Sequence, residues 1–162
     1  MSRMPSNQLD PAIKNVWRIC DAALLAAAFA VIGLVSQVLL WLFAPSARPA
    51  AGAVVVALFV VVCAVWLAFA VPLRYARWRY ELTPHYVEIS RGILWHVHVV
   101  IPFVRVQNID TRQGPLLRAF GLAGVTISTA SGSHVIPGLH AQEADDVRDR
   151  AAEFARLARE DL

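Results

Sequence analysis

The sequence predicts an α+β protein: an N-terminal two-helix transmembrane hairpin, then an antiparallel β-roll or barrel closed by a C-terminal amphipathic helix. Three observations predict it. Two runs without a charged residue, Ala22 to Ala47 and Pro49 to Leu73, are 26 and 25 residues long. After Leu73 the pattern changes to short alternating stretches separated by proline and glycine turns. After His140 it changes again, to helical spacing with a charged opposite face.

The spans come first. Over 162 residues the hydrophobic share is 57% and the mean hydropathy +0.52, above an ordinary soluble domain. The excess lies in the two runs, each longer than the ~20 residues that cross a hydrocarbon core. Between them stands the short connection "APSARPA". A cleaved signal has an apolar region of roughly 7–15 residues. The first run is longer, and a second follows at once, so a retained hairpin is expected. Two helices buried in a soluble core are the alternative. The stretch "AVVVALFVVVCAVWLAFAV" argues against it, because a surface helix carries a polar face.

The expected boundaries are 1–21 for a cytoplasmic N-terminal segment, 22–44 for the first span and 45–49 for a short external loop. The second span is 50–73 and a cytoplasmic domain is 74–162. Arg3, Lys14 and Arg18 precede the first span, Arg74, Arg77 and Arg79 follow the second, and only Arg48 lies between. The positive-inside rule then puts both termini in the cytoplasm. Trp17, Trp41 and Trp78 fall near span ends, where indoles favour the interface, and Trp66 lies deeper. Neither span holds an ionisable residue of the kind a transporter or proton relay uses. Gln37 is placed to bond across to another helix. Small residues recur at four-residue spacing (Ala22, Ala26, Ala30; Ala53, Ala57; Ala64, Ala68), which lets helices approach closely. Cys20 and Cys63 read as small apolar fillers rather than a disulfide framework.

In the domain, "WRYELTPHYVEIS" reads as two strands joined at Thr83-Pro84, with Arg91-Gly92 as the next turn. "ILWHVHVVIP" is a third strand and "VRVQNIDTR" a fourth. "PLLRAFG" is a short helical crossover, in which Leu116, Leu117 and Phe120 are expected to plug the barrel. "AGVTIST" and "SHVIPG" complete the sheet. The closing helix carries Ala144, Val147, Ala151, Phe154, Ala155 and Ala158 on one face. Acidic residues start it and Arg156 and Arg159 end it, which suits the helix dipole. Phe120 and Phe154 are both expected to be buried.

Six short motifs in order resemble the bacterial pleckstrin-homology-like (PH-like) domain of small membrane proteins of the YdbS type. They are Tyr80-Glu81-Leu82-Thr83, "VEISRGIL", "IPFVRVQNI" from Ile101, "PLLRAFGL" from Pro115, the strand Val125 to Ser131, and Ile136-Pro137-Gly138-Leu139. The resemblance runs from about Tyr80 to Ala158, and the preceding hairpin fits it. It implies a PH-like roll in a multi-pass protein of the bacterial plasma membrane; no enzymatic activity or cofactor is expected, since no catalytic motif stands out. His96 and His98, two apart on one expected strand, stand where the family often has a charged or polar pair.

No nucleophile–base set, phosphate loop or metal-ligand motif is present in the sequence. From Arg74 to His140 there are seven arginines against three acids, and from Ala141 onward four arginines against seven acids. A basic face near the inner leaflet gains about 1 kcal/mol per arginine. Arg74, Arg77, Arg79, Arg105, Arg112 and Arg118 are therefore the candidate lipid- or partner-contact residues. The leading expectation is a non-enzymatic, membrane-anchored interaction module. Its partners would be the lipid bilayer and a membrane protein or a second copy, and no nucleic acid. The alternative is a sensor of anionic phospholipid headgroups. The first strand–turn–strand, "LTPHYVE", lacks the basic cluster such a pocket needs.

Overall fold

Two long helices follow a two-residue strand, Asn7–Gln8. α1 spans Ile13–Phe43 and α2 spans Arg48–Val65, and the helical path of α2 continues to Arg77. The computed structural model describes residues 5–43, 46, 48–93 and 95–160. It divides into two units: Trp17–Pro72, and the described residues up to Val16 together with those from Leu73 onward.

In the first unit α1 and α2 lie side by side. Phe29 packs on Phe59 with ring centroids 5.4 Å apart, and Gly33 admits Val55. Gln37 bonds across to the other helix as expected: its amide donates to the Arg48 carbonyl at 3.1 Å. Ala26 and Ala30 line an apolar hollow of ≈ 340 Å³ between the helices, but Gly52, Val55 and Phe59 face them rather than Ala53 and Ala57. None of α1's apolar window is buried within the protein. Such a surface is compatible with lipid and costly in water. After Val65 the helix widens into one π turn, Trp66–Ala70, and resumes as α3, Val71–Arg77. Pro72 explains the change: it cannot donate to the Ala68 carbonyl, and its ring crowds that group. Trp66 is half exposed, and its indole N–H donates to Asp21 at 3.1 Å.

The second unit holds seven strands. β1 (Asn7–Gln8), β2 (Arg79–Leu82), β3 (Tyr86–Arg91) and β4 (Val97–Pro102) form one antiparallel sheet in that order. A 3-10 turn, Phe103–Arg105, leads to β5 (Val106–Arg112). The crossover α4 (Pro115–Ala119) then leads to β6 (Leu122–Thr129) and β7 (Gly132–His140), giving a second antiparallel sheet β5-β6-β7. α5 (Ala141–Glu160) closes the chain. The fold is thus PH-like, with two sheets and a C-terminal helix. Among the described residues no ladder joins the sheets into a closed barrel.

The core is sealed by α5, which buries Ala144, Val147, Ala151 and Ala155. Small side chains let the helix axis approach β5, β6 and the 3-10 turn closely. Phe154 is only half buried, its ring 5.6 Å from that of the fully buried Phe103. Phe120 is also half buried, and α4 has no buried residue. The expected plug is corrected: five residues of helix are too short to turn Leu116 and Leu117 inward, and Leu116 is 40% exposed. Trp78 is corrected too. It is buried within the described structure rather than left at an interface, being 5% exposed just ahead of β2.

The N-terminal segment belongs to this core. Leu9 and Ile13 are 2% and 1% exposed. β1 pairs Asn7 with Tyr80 and Gln8 with Arg79. The Asp10 N–H donates to the Gly138 carbonyl at 3.0 Å, and the Tyr75 hydroxyl donates to the Leu9 carbonyl at 2.9 Å. Gly138 shows why the "IPGL" motif needs its glycine. Its φ is +66°, and a Cβ there would run into the Ile13 side chain.

Candidate functional site

The six candidate arginines fall into three places. Arg74 and Arg77 lie in the last turn of α3, and Arg79, half buried, opens β2. Arg105 ends the 3-10 turn at the start of β5, and Arg112 ends β5, both exposed. At ~3.3 Å per residue they stand about 20 Å apart. Arg118, in the last turn of α4, belongs with Arg112: Arg112 pairs in register with Gly124, and the Arg118 carbonyl accepts the Gly121 N–H at 3.1 Å. Arg105, Arg112 and Arg118 therefore do not converge on one site.

Arg105 instead lines one hollow with Arg159, which was not among the candidates. Among the described residues β5 ends its sheet and pairs with β6 alone, and α5 runs along it. Between them lies a cleft of ≈ 400 Å³, lined by Val106, Gln107, Ile109, Ala155, Arg156 and Arg159. A neighbouring hollow of ≈ 520 Å³ shares Val106, Gln107 and Arg159 and adds Arg105, Thr129 and Ser131. The Arg159 guanidinium donates to the Val106 carbonyl at 2.6 Å. A register irregularity between Val106 and Asn108 leaves Gln107 outside the ladder. The signal for Arg159 was its place at the cationic end of a helix, which reads as ordinary dipole complement until β5 is seen beside it.

Charge in the cleft is partly neutralised. Arg156 bridges Glu153 and Glu160, each at 2.7 Å. The hydrogen bond from Arg156 holds the Glu153 carboxyl below its usual range, against a smaller opposing effect of desolvation. At the other end of α5 the Tyr80 hydroxyl donates to Glu143 at 2.8 Å. Burial, with that hydrogen bond and the carboxylate's charge, pushes the phenol well above its usual range. This contact ties β2 to the first turn of α5.

The histidines do not share a strand face as expected. His96 precedes β4, because the strand begins only at Val97. Its Nε2 lies 3.0 Å from an Arg77 nitrogen. His98 bonds Glu88 at 2.8 Å. Among the described residues no three His, Cys, Asp or Glu side chains gather as metal ligands.

Comparison with known proteins fits this architecture. The family model described as "Bacterial PH domain" matches residues 13–155, covering both long helices and every strand of the two sheets except β1. The chain is also similar to the UPF0699 transmembrane protein YdbS of Bacillus subtilis (strain 168), with 35% identity over 172 aligned positions and all of both chains covered. No solved structure matches it. Two exposed apolar helices, a PH-like pair of sheets and a family match over most of the length agree: the chain belongs to the bacterial PH domain family and is a membrane protein.

Proposed function

We propose that this protein is a non-enzymatic interaction module of the bacterial plasma membrane. Its hairpin anchors the PH-like domain, both termini are cytoplasmic, and the β5–α5 cleft docks a membrane protein or a second copy of the chain. The observation that carries the reading is the cleft. An edge strand lies open beside a helix, so an extended segment can add backbone hydrogen bonds to β5 while its side chains meet α5. The pairing of β1 with β2 supports the topology, since it requires the N-terminal segment and the domain on one side of the membrane.

The alternative, a headgroup sensor, has less support. A phosphate pocket needs several cations at one point, and Arg105 and Arg112 stand at opposite ends of one strand.

The test is a photo-crosslinking amino acid at Gln107 in the full chain, irradiated in native membranes and analysed by mass spectrometry. Discrete adducts with a membrane protein or with the chain itself are expected. Adducts to lipid alone, or none, would overturn docking at this cleft. A cysteine at Ser46 in a background lacking Cys20 and Cys63 tests the topology: it is labelled from outside intact cells if both termini are inside.

A further inference from the structure

The β3–β4 turn presents the largest apolar group on the sheets to solvent. Trp95 is 82% exposed, and Val97 and Val100, further along β4, are 42% and 51% exposed. An indole left open in this way is uncommon on a surface that meets only water. Gly92 shapes the turn: its φ is +118°, and a Cβ there would run into the Trp95 carbonyl. The cations around the turn are Arg91 at the end of β3 and Arg77, both exposed. Glu88, on β3, pairs with His98 at 2.8 Å.

Arg77, in the last turn of α3, holds this turn. Its guanidinium donates to the Ile93 carbonyl at 2.8 Å and lies 3.0 Å from His96 Nε2. Arg77 is also four residues beyond Leu73, the last residue of the charge-free run. Four residues of helix rise about 6 Å, and the headgroup layer of one leaflet is about 5–8 Å thick. The guanidinium that holds the turn therefore falls within headgroup depth, and Trp95 is two residues from the carbonyl it holds. Indoles concentrate at this depth, and anionic headgroups there complement arginine.

We propose that the β3–β4 turn is an interfacial anchor, in which Trp95 enters the headgroup–acyl boundary of the inner leaflet while Arg77 and Arg91 meet anionic lipid. The occupant of this surface is the bilayer itself. The inference rests on the cytoplasmic placement of the domain and is independent of protein docking at the β5–α5 cleft.

The experiment uses the full chain with Cys20 and Cys63 replaced and Trp95→Cys carrying a nitroxide, reconstituted in vesicles. Collision with oxygen, which dissolves in lipid, is compared with collision with a water-soluble nickel chelate. In phosphatidylglycerol-containing vesicles the oxygen-to-nickel ratio should rise several-fold above that of the free label in water. Pure phosphatidylcholine vesicles should give a smaller rise, and Arg91→Gln should diminish the difference between the two lipids. A water-like ratio in both vesicles overturns the proposal. So does protection from both quenchers that grows with the protein-to-lipid ratio, which would assign the turn to a contact between copies. A parallel measurement with the label at Arg91→Cys reads the same depth while Trp95 stays in place, so a fault of the Trp95 variant cannot mask the result.

Discussion

Leu9→Ala measures whether the N-terminal segment is part of the domain. A substitution in a solvated tail changes stability by no more than about 0.5 kcal/mol. Leu9, however, is 2% exposed, and a buried Leu→Ala change costs about 2–5 kcal/mol. Two features hold the cost near the low end. β1 has only two residues, and the segment can detach locally, which caps the loss at its own docking free energy. Burying Leu9 and Ile13 contributes about 1.5–3 kcal/mol each before ordering is subtracted, so about 2 kcal/mol is expected. For a domain near one hundred residues that is roughly 8–16 °C in melting temperature. The assay is thermal unfolding of the purified full chain in detergent, with amide hydrogen exchange over β2 as a local reading. Leu157→Ala, at a side chain 42% exposed on α5, is the control and should lie within about 0.5 kcal/mol of wild type. Adding Ile13→Ala to Leu9→Ala should cost less than the two single changes predict, because a detached segment has nothing more to lose. A Leu9→Ala protein as stable as the control, with unchanged exchange over β2, would refute the docking.

Tyr80→Phe should cost about 1 kcal/mol, less than a fully buried charged hydrogen bond because Glu143 is partly solvated. The Tyr80 phenol titrates above its usual value of 10.0 in the folded chain. The native state therefore holds that proton more tightly, and this contribution is present below pH 10 and lost as pH rises through the folded value. Chemical denaturation from neutral to alkaline pH should show a smaller loss in Tyr80→Phe. Gly138→Ala should cost at least about 1 kcal/mol from its left-handed backbone, with more from the Ile13 clash, and should raise exchange over β1. Thr111→Val should be neutral or stabilising by up to about 1 kcal/mol, since the buried Thr111 hydroxyl has no hydrogen-bond partner among the described residues; a clear loss in the melt would reveal one.

The sequence carried the domain's plan wherever one element met a simple pattern. Alternation in "RYEL", "YVEISR" and "VTIST" placed β2, β3 and β6, and the spacing of Ala144, Val147, Ala151 and Ala155 placed the buried face of α5. It failed where meaning depends on a distant partner. Asn7 and Gln8 are too few to show alternation, and only β2, far along the chain, makes them a strand. Phe120 and Phe154 were expected in the core, yet the close approach of α5 through alanines leaves Phe154 half outside, and the short α4 leaves Phe120 half outside. The arginines were legible as an excess of charge, but not as three separate places, because strand length sets the distance between Arg105 and Arg112.

The two parts of the folded domain also leave the ribosome at different times. β1 is made about seventy residues before β2, so at about 5–20 residues per second it waits roughly 4–14 seconds for its partner. Insertion of the intervening helices decides whether the meeting happens. An even number of crossings returns the chain to the side where β1 remained, and the sheet can be completed. A chain that fails one crossing strands Leu9 and Ile13 across the bilayer from their seats beside Tyr80 and Gly138. Its domain then keeps an open sheet edge and an unfilled apolar hollow, features that proteases and chaperones of the cell recognise. On the topology proposed above, completion of this sheet edge therefore depends on both helices having crossed.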